Sequence, residues 1–517
     1  VRPASLRGSG IALLTLLTLA CGGPGATTLS PPAPPPLDEL RSIPITPPMD
    51  GVQWGILFVD LETGAVLYAL NASRRFIPAS NRKVPVTAAA MDLLGPDFRW
   101  QVSLHSGSRP DGSGALPGDL VLLAGGDPTL GPPFHPSAGA ALDSLAAVVE
   151  GAGIRSIQGA LVVDASNWDS TAVPGSWMVE DLEGVSGASG GVFSVGLGLL
   201  QFEVVGGEAA GDTAAVTWDP PGDGLFVENQ VVTRAGGGPS LRLVHLPESG
   251  RVRLVGGVAP GERRVFRAAV REAVAESARG LVAALEARGI QVEGGARVAW
   301  DPADPALRSC APPSDPRGAQ GAVNGPAPRR GCPGLRALAT RVSPPLHEVV
   351  DAILGPSQNW MTEQLLRTLG AELGAGGNWR EGMRLERGWL QGTAGVDSLD
   401  VQQRDGSGMS AQNLVTPRAM VQVLERAARA PWAPLYRDAL PEPGEEDTTL
   451  ESRLPELRGR VHAKTGTLTN VTTLSGYLVT DSGRTLVFSI LTNGSGLPSS
   501  TVRGAIDRLV LEAARRW

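Results

Sequence analysis

Lysine, cysteine, histidine and aromatic residues are all scarce in this sequence, and no apolar run is long enough to span a bilayer. Each shortage excludes something. Lysine and arginine together number 45 against 52 acidic residues, a net charge of −7, so the basic footprint of a nucleic-acid binder is missing. The five histidines (His105, His135, His245, His347, His462) are scattered, and the three cysteines complete no ligand spacing with them. A zinc centre is therefore excluded, and no metal or cofactor is expected. The apolar stretch 11–20 has about half the roughly 20 residues that a membrane-spanning helix needs.

What is present begins with length. At 517 residues the chain exceeds what one hydrophobic core usually supports, so two or three domains are expected. Glycine (67) and proline (43) are abundant, which favours turns and short strands. Arg2, Arg7 and the apolar stretch behind them make residues 1–21 an export leader. Its end, Thr18-Leu19-Ala20-Cys21-Gly22, resembles a bacterial lipoprotein cleavage site, although Thr18 stands where leucine is usual. Cys21 would then carry a lipid and attach the protein to a membrane. Residues 22–49, with Pro31-Pro32-Ala33-Pro34-Pro35-Pro36, form a Pro-rich tether. An exported chain is periplasmic or held in the cell envelope, where Cys310 and Cys332 can form a disulfide; closing that loop stabilises by about 3 kcal/mol.

Residues 53–60 and 65–70 are β-prone runs joined by Leu61-Glu62-Thr63-Gly64, a predicted hairpin. A helix is predicted from Ser80 to Leu94. Residues 99–264 carry short β-like runs and turn signals, an inserted and mostly β module. Helical periodicity returns at 266–288 and 361–373. Near the end, 459–467, 473–480 and 485–492 form a predicted antiparallel meander, followed by an amphipathic helix over 501–516. The first two strands and the last three can make one antiparallel sheet flanked by helices, an α+β architecture.

Only two lysines occur, Lys83 and Lys464, while arginine fills the other 43 cationic positions. A composition that replaces lysine nearly everywhere retains it where guanidinium cannot substitute, and an amine, unlike guanidinium, can lose its proton and act as a base. Lys83 follows Ser80 by three residues at a helix start, on one face. A hydroxyl beside an amine is a nucleophile beside a base. Lys464 opens Lys464-Thr465-Gly466-Thr467 on a predicted strand, and Ser357-Gln358-Asn359 is the sole Ser-x-Asn of the chain. Gly187-Ala188-Ser189-Gly190-Gly191 has the Gly-x-Ser-x-Gly pattern, but its Gly-rich flanks lack the strand and helix that a nucleophile elbow needs. Asp405-Gly406-Ser407-Gly408 is a turn with a possible place near the pocket.

Ser-x-x-Lys, Ser-x-Asn and Lys-Thr-Gly, in that order, resemble the motif set of penicillin-binding proteins and serine β-lactamases. The separation of 277 positions from Ser80 to Ser357 leaves room for a large insertion. With Phe76-Ile77-Pro78-Ala79-Ser80, Gly125-Gly126-Asp127-Pro128-Thr129-Leu130, Ser343-Pro344-Pro345-Leu346, Leu365-Leu366-Arg367-Thr368-Leu369-Gly370 and Asp405-Gly406-Ser407-Gly408-Met409-Ser410, the chain is similar to the D-alanyl-D-alanine carboxypeptidase/endopeptidase family. These are the class C low-molecular-mass penicillin-binding proteins.

The resemblance implies a transpeptidase-like catalytic domain at 50–98 and 265–517, interrupted by the module at 99–264. It implies cleavage of peptidoglycan stem peptides through an acyl-enzyme on Ser80, and covalent inhibition by β-lactams. Lys83 would take the Ser80 proton, Ser357 would relay it to the leaving amine, and Asn359 would hold the substrate amide. Lys464 and Thr465 would receive the terminal carboxylate, and Gly466 would admit the substrate backbone. The backbone N–H groups of Ser80 and Thr467 would form the oxyanion hole, and Asp164 would help read the stem-peptide side chain. Two departures stand out: Pro85 close behind the nucleophile, and Ala411 where relatives carry a basic residue. A rapidly deacylating serine β-lactamase and a catalytically silent wall-binding lipoprotein are the alternative functions.

Overall fold

The strand Gln53–Asp60 shows how the molecule is layered. Its alternate residues enter two different cores: Trp54, Ile56 and Phe58 pack in one, Leu57 and Val59 in the other. A strand covered on both faces needs apolar side chains on both, which is why seven of its eight residues are buried.

The computed structural model describes residues 39–182, 184–220, 226–236, 238, 240–245, 251–307 and 334–517. Cys21, Cys310 and Cys332 lie outside the described residues, as do the leader and the tether through residue 38. The elements that carry the site and its insertion are, in chain order, β1 (Gln53–Asp60), β2 (Val66–Leu70), α1 (Lys83–Leu93), β3 (Gln101–Ser106), β4 (Leu120–Leu123), α2 (Ala138–Gly151), β5 (Leu161–Asp164), α3 (Ala273–Ala287), β6 (Ala296–Ala299), β7 (Arg336–Val342), α4 (Asn359–Leu373), α5 (Trp379–Gly392), α6 (Pro417–Ala428), β8 (Val461–Leu468), β9 (Val471–Val479), β10 (Thr485–Asn493) and α7 (Ser499–Arg516).

The central sheet is antiparallel with strand order β8-β9-β10-β1-β2, so strands from the two ends of the chain pair directly, Phe58 opposite Phe488. One face packs against α7 through Val502, Ile506, Leu509 and Val510. The other packs against α1, α4 and α6. This is the α+β arrangement expected from the order of the predicted strands and helices.

The insertion is larger and less purely β than expected. Its main sheet, β6-β5-β4-β3-β7, is mixed: β6, β5 and β4 run parallel, and β3 is antiparallel to both β4 and β7. Helices α2 and α3 complete its core. Two three-stranded sheets follow, one from 199–205, 215–219 and 263–269, the other from 226–233, 242–245 and 251–258. Residues 265–269, 296–299 and 336–342, placed by the sequence in the catalytic part, thus pair with strands of the insertion. The helix expected at 266–288 begins only at Ala273, because Arg263–Ala269 pairs with Leu199–Val205. Long-range pairing overrode the local periodicity there.

Candidate active site

Ser80 sits in a single 3₁₀ turn, Ala79–Arg82, that leads directly into α1 at Lys83. The irregular first turn expected from Pro85 is present, and Pro85 occupies the opening of the α-helix, where backbone N–H groups lack intrahelical acceptors in any case. Ala79 adopts φ +47°, a left-handed conformation that costs a non-glycine residue about 1 kcal/mol. Tight packing holds it there: a Cβ on Gly408 would lie 1.8 Å from the Ala79 carbonyl oxygen.

The Lys83 side chain is fully buried. Its Nζ lies 2.8 Å from Ser80 Oγ, 2.7 Å from Asn359 Oδ1 and 2.8 Å from the Ser407 carbonyl oxygen. The last two groups are acceptors only, so they take two N–H bonds. In a neutral amine the remaining direction, toward Ser80, holds the lone pair, which is the geometry of a base. Burial drives the Lys83 amine down to about 7, against the opposing pull of Glu363 and Asp405.

The edge strand β8 brings the second lysine. Asn81, inside the Ser-x-x-Lys motif, donates from Nδ2 to the Lys464 carbonyl (3.0 Å) and to Thr473 Oγ1 (2.6 Å). Thr473 Oγ1 donates in turn to the Pro78 carbonyl (3.0 Å). A Cβ on Gly466 would meet Thr473 Oγ1 at 2.3 Å and the Ser80 backbone nitrogen at 2.9 Å, so only glycine lets this strand lie against the nucleophile turn. Lys464 is fully buried, and its Nζ donates to the Thr465 carbonyl at 3.1 Å. Burial, with Lys83 nearby, holds its amine well below the ordinary lysine range. Thr465 is 8% exposed, and Thr467 stands exposed at the open side of the strand.

Beneath Lys83 lies a polar floor whose role the sequence did not reveal. Glu363 accepts from the backbone amides of Gly406 and Ser407 and from Trp379 Nε1. Asp405 accepts from the amides of Gly408 and Ser410, from Asn413 Nδ2 and from Trp177 Nε1. The Asp-Gly-Ser-Gly segment is therefore a folded cradle whose product is one carbonyl aimed at Lys83. A signal for Glu363 was available: it stands four residues after Asn359, on the same helical face. Arg82 pairs with Glu386 of α5, both almost completely buried.

Ser357 adopts φ +66° and is half-buried; among the described residues its hydroxyl makes no hydrogen bond to Ser80, Lys83 or Lys464. Asp164 ends β5 at 4% exposure, its Oδ1 accepting from the amide and hydroxyl of Ser166, and it makes no hydrogen bond with the cluster around Ser80. Ser189, of the Gly-x-Ser-x-Gly pattern, donates to the Val270 carbonyl within the insertion. The insertion reaches the site through Trp177 and through the Ser186 carbonyl, which accepts from Asn359 Nδ2 at 3.3 Å.

The model of the D-Ala-D-Ala carboxypeptidase 3 (S13) family matches residues 37–308 and 329–514. The chain belongs to this family. It is accordingly a serine-type D-Ala-D-Ala carboxypeptidase of the penicillin-binding class. The D-alanyl-D-alanine carboxypeptidase of Actinomadura sp. strain R39 is 30% identical over 92% of this chain and 84% of its own. The D-alanyl-D-alanine carboxypeptidase DacB of Haemophilus influenzae is 24% identical over 88% and 89%. The crystal structure of penicillin binding protein 4 (DacB) from Haemophilus influenzae shares the fold, with a TM-score of 0.74 at 22% identity over 93% of this chain and all of that one.

Proposed function

We propose that Ser80 is the acylated nucleophile of this S13 enzyme, with Lys83 as its base, acting on the D-Ala-D-Ala terminus of peptidoglycan stem peptides. The observation that carries this reading is the placement of Lys83 Nζ, fully buried and within hydrogen-bond distance of Ser80 Oγ, Asn359 Oδ1 and the Ser407 carbonyl. Ser80 Oγ forms a bond to the carbonyl carbon between the two D-alanines as its proton passes to Lys83. The C–N bond then breaks, and the departing amine takes up a proton through Ser357. Asn359 holds the Lys83 amine by its oxygen. Lys464 and Thr465 receive the substrate carboxylate, Gly466 leaves room for its backbone, and the amides of Ser80 and Thr467 accommodate the developing oxyanion. Water hydrolyses the ester and frees Ser80. A β-lactam enters by the same first step and remains attached. Asp164, through the turn it holds with Ser166, contributes to the wall that meets the stem-peptide side chain.

The same reading places the protein outside the cytoplasm, in the periplasm or envelope, with attachment through a lipid on Cys21. None of the described helices is long and apolar enough to cross a membrane. The decisive experiment is a peptide map of the protein after reaction with labelled penicillin, combined with an assay of D-alanine release from a pentapeptide. One adduct on the peptide containing Ser80, and loss of both activities in Ser80→Ala, are expected. An adduct on another residue would refute the assignment.

A further inference from the structure

Helix α4 carries three polar residues four apart, Asn359, Glu363 and Arg367, and so on one face. The first holds the Lys83 amine. The third is buried between two indoles, its guanidinium 4.9 Å from the Trp168 ring centroid and 4.4 Å from that of Trp379. Glu363, between them, makes no hydrogen bond to Ser80 or Lys83, yet it is only 4% exposed and fully engaged. Its Oε1 accepts from the amides of Gly406 (3.1 Å) and Ser407 (2.7 Å). Its Oε2 accepts from the Gly406 amide (2.9 Å) and Trp379 Nε1 (2.8 Å). Burial, and then Asp405, push the Glu363 carboxyl upward. Each of these backbone and indole partners is nonetheless a donor, so the ionised carboxylate is the form that this setting accommodates.

We propose that Glu363 is a positioning residue for acyl transfer: by gripping the amides of Gly406 and Ser407 it aims the Ser407 carbonyl at Lys83, and so fixes where the lone pair of the base points. This rests on the reading of Ser80 and Lys83 given above. With Asn359 Oδ1 and the Ser407 carbonyl both occupied, the amine has one free direction, toward Ser80. If the Ser407 carbonyl drifts, the amine can turn that direction elsewhere. The carboxylate also has an electrostatic part. It faces Lys83, Asp405, Arg82 and Arg367, while Lys83 faces Glu363, Asp405 and Lys464. Arg82 is already neutralised by Glu386. Removing the Glu363 charge therefore favours the uncharged amine and moves the acidic limb of the acylation profile to lower pH, even as the loss of aim slows the step.

The test is the pH dependence of penicillin acylation, normalised to titrated Ser80 sites, in Glu363→Gln. The expected result is a rate lower by about a hundredfold, an acidic limb displaced to lower pH, and one adduct per molecule still on Ser80. A group that only stabilises the loop would lower the number of active sites and leave both the rate per site and the limb in place; that outcome overturns the proposal. Trp379→Phe keeps the ring beside Arg367 and removes one donor from Glu363, so it serves if the first variant does not fold. The Glu363 charge remains in this variant, so the limb is expected to stay in place while the rate per site falls; an unchanged rate per site counts against the proposal. Absence of a Ser80 adduct in the unmodified protein would instead mark failure of the underlying assignment.

Discussion

The surroundings of the two lysines differ in a way that assigns their chemistry. Both amines are completely buried. Lys83 has three oxygen partners and two buried acids, Glu363 and Asp405, within electrostatic range. Lys464 has a single hydrogen-bonded partner among the described residues, the Thr465 carbonyl, and a like charge in Lys83. Burial brings Lys83 down to about 7 and the two acids oppose a further fall, which leaves the amine poised to exchange a proton. Lys464 lacks a counter-charge, and a substrate carboxylate is the group that supplies one. Under the proposed function, the same desolvation serves a base on one side of Ser80 and an anion receptor on the other.

The largest expected effect comes from abolishing the first half of this contrast. Lys83→Met leaves a side chain of similar length that cannot accept the Ser80 proton, and the rate of Ser80 acylation by penicillin is expected to fall at least about a thousandfold. Stopped-flow or gel measurement of adduct formation checks it, and a loss under tenfold would transfer the role of base to another group.

Arg82→Ala tests the scaffold that both lysines share. It strands Glu386 without a partner in the interior, a change expected to cost roughly 3–5 kcal/mol. Urea unfolding checks the figure, and a cost below 1 kcal/mol would show that the pair is better solvated than its burial implies.

Lys464→Met tests the other half. Peptide hydrolysis is expected to fall about a hundredfold, the order of loss when one partner of a buried charge pair is truncated. The preference of the unmodified enzyme for a free carboxylate over a terminal amide should vanish with it. A variant that still discriminates between acid and amide would place the carboxylate elsewhere.

The smallest effect is the most diagnostic of the Lys83 pocket. The base works when uncharged, so acylation should rise with pH and level off above about 7, where burial has brought the Lys83 amine. Below that value each unit of acidity is expected to cost about tenfold. A rate independent of pH between 5 and 8 would contradict the assignment.

Much of this site was legible before folding was considered. The rarity of lysine singled out both amines, and motif spacing linked them to Ser80 and to the segment 357–359. The strands of the central sheet were found to within a few residues, because alternation survives when both faces are buried in apolar cores. The extent of the insertion was not legible: Arg336–Val342 joins β3 across more than 200 residues of chain, and nothing local announces such a partner. Asp405 was seen only as part of a turn: its donors from Gly408, Ser410 and Asn413 are local, but the Trp177 indole that ties the turn to the insertion comes from 228 residues away.

Composition and spacing by themselves singled out the candidate reacting groups, because the choice of amine over guanidinium is a property of single residues. Tertiary structure alone decided how those groups are tuned. The value near 7 at Lys83, the direction of its lone pair and the absence, among the described residues, of a counter-charge at Lys464 come from burial and from acceptors converging from distant elements. Electrostatics in a buried site depends on distances across the fold, and sequence order does not contain them.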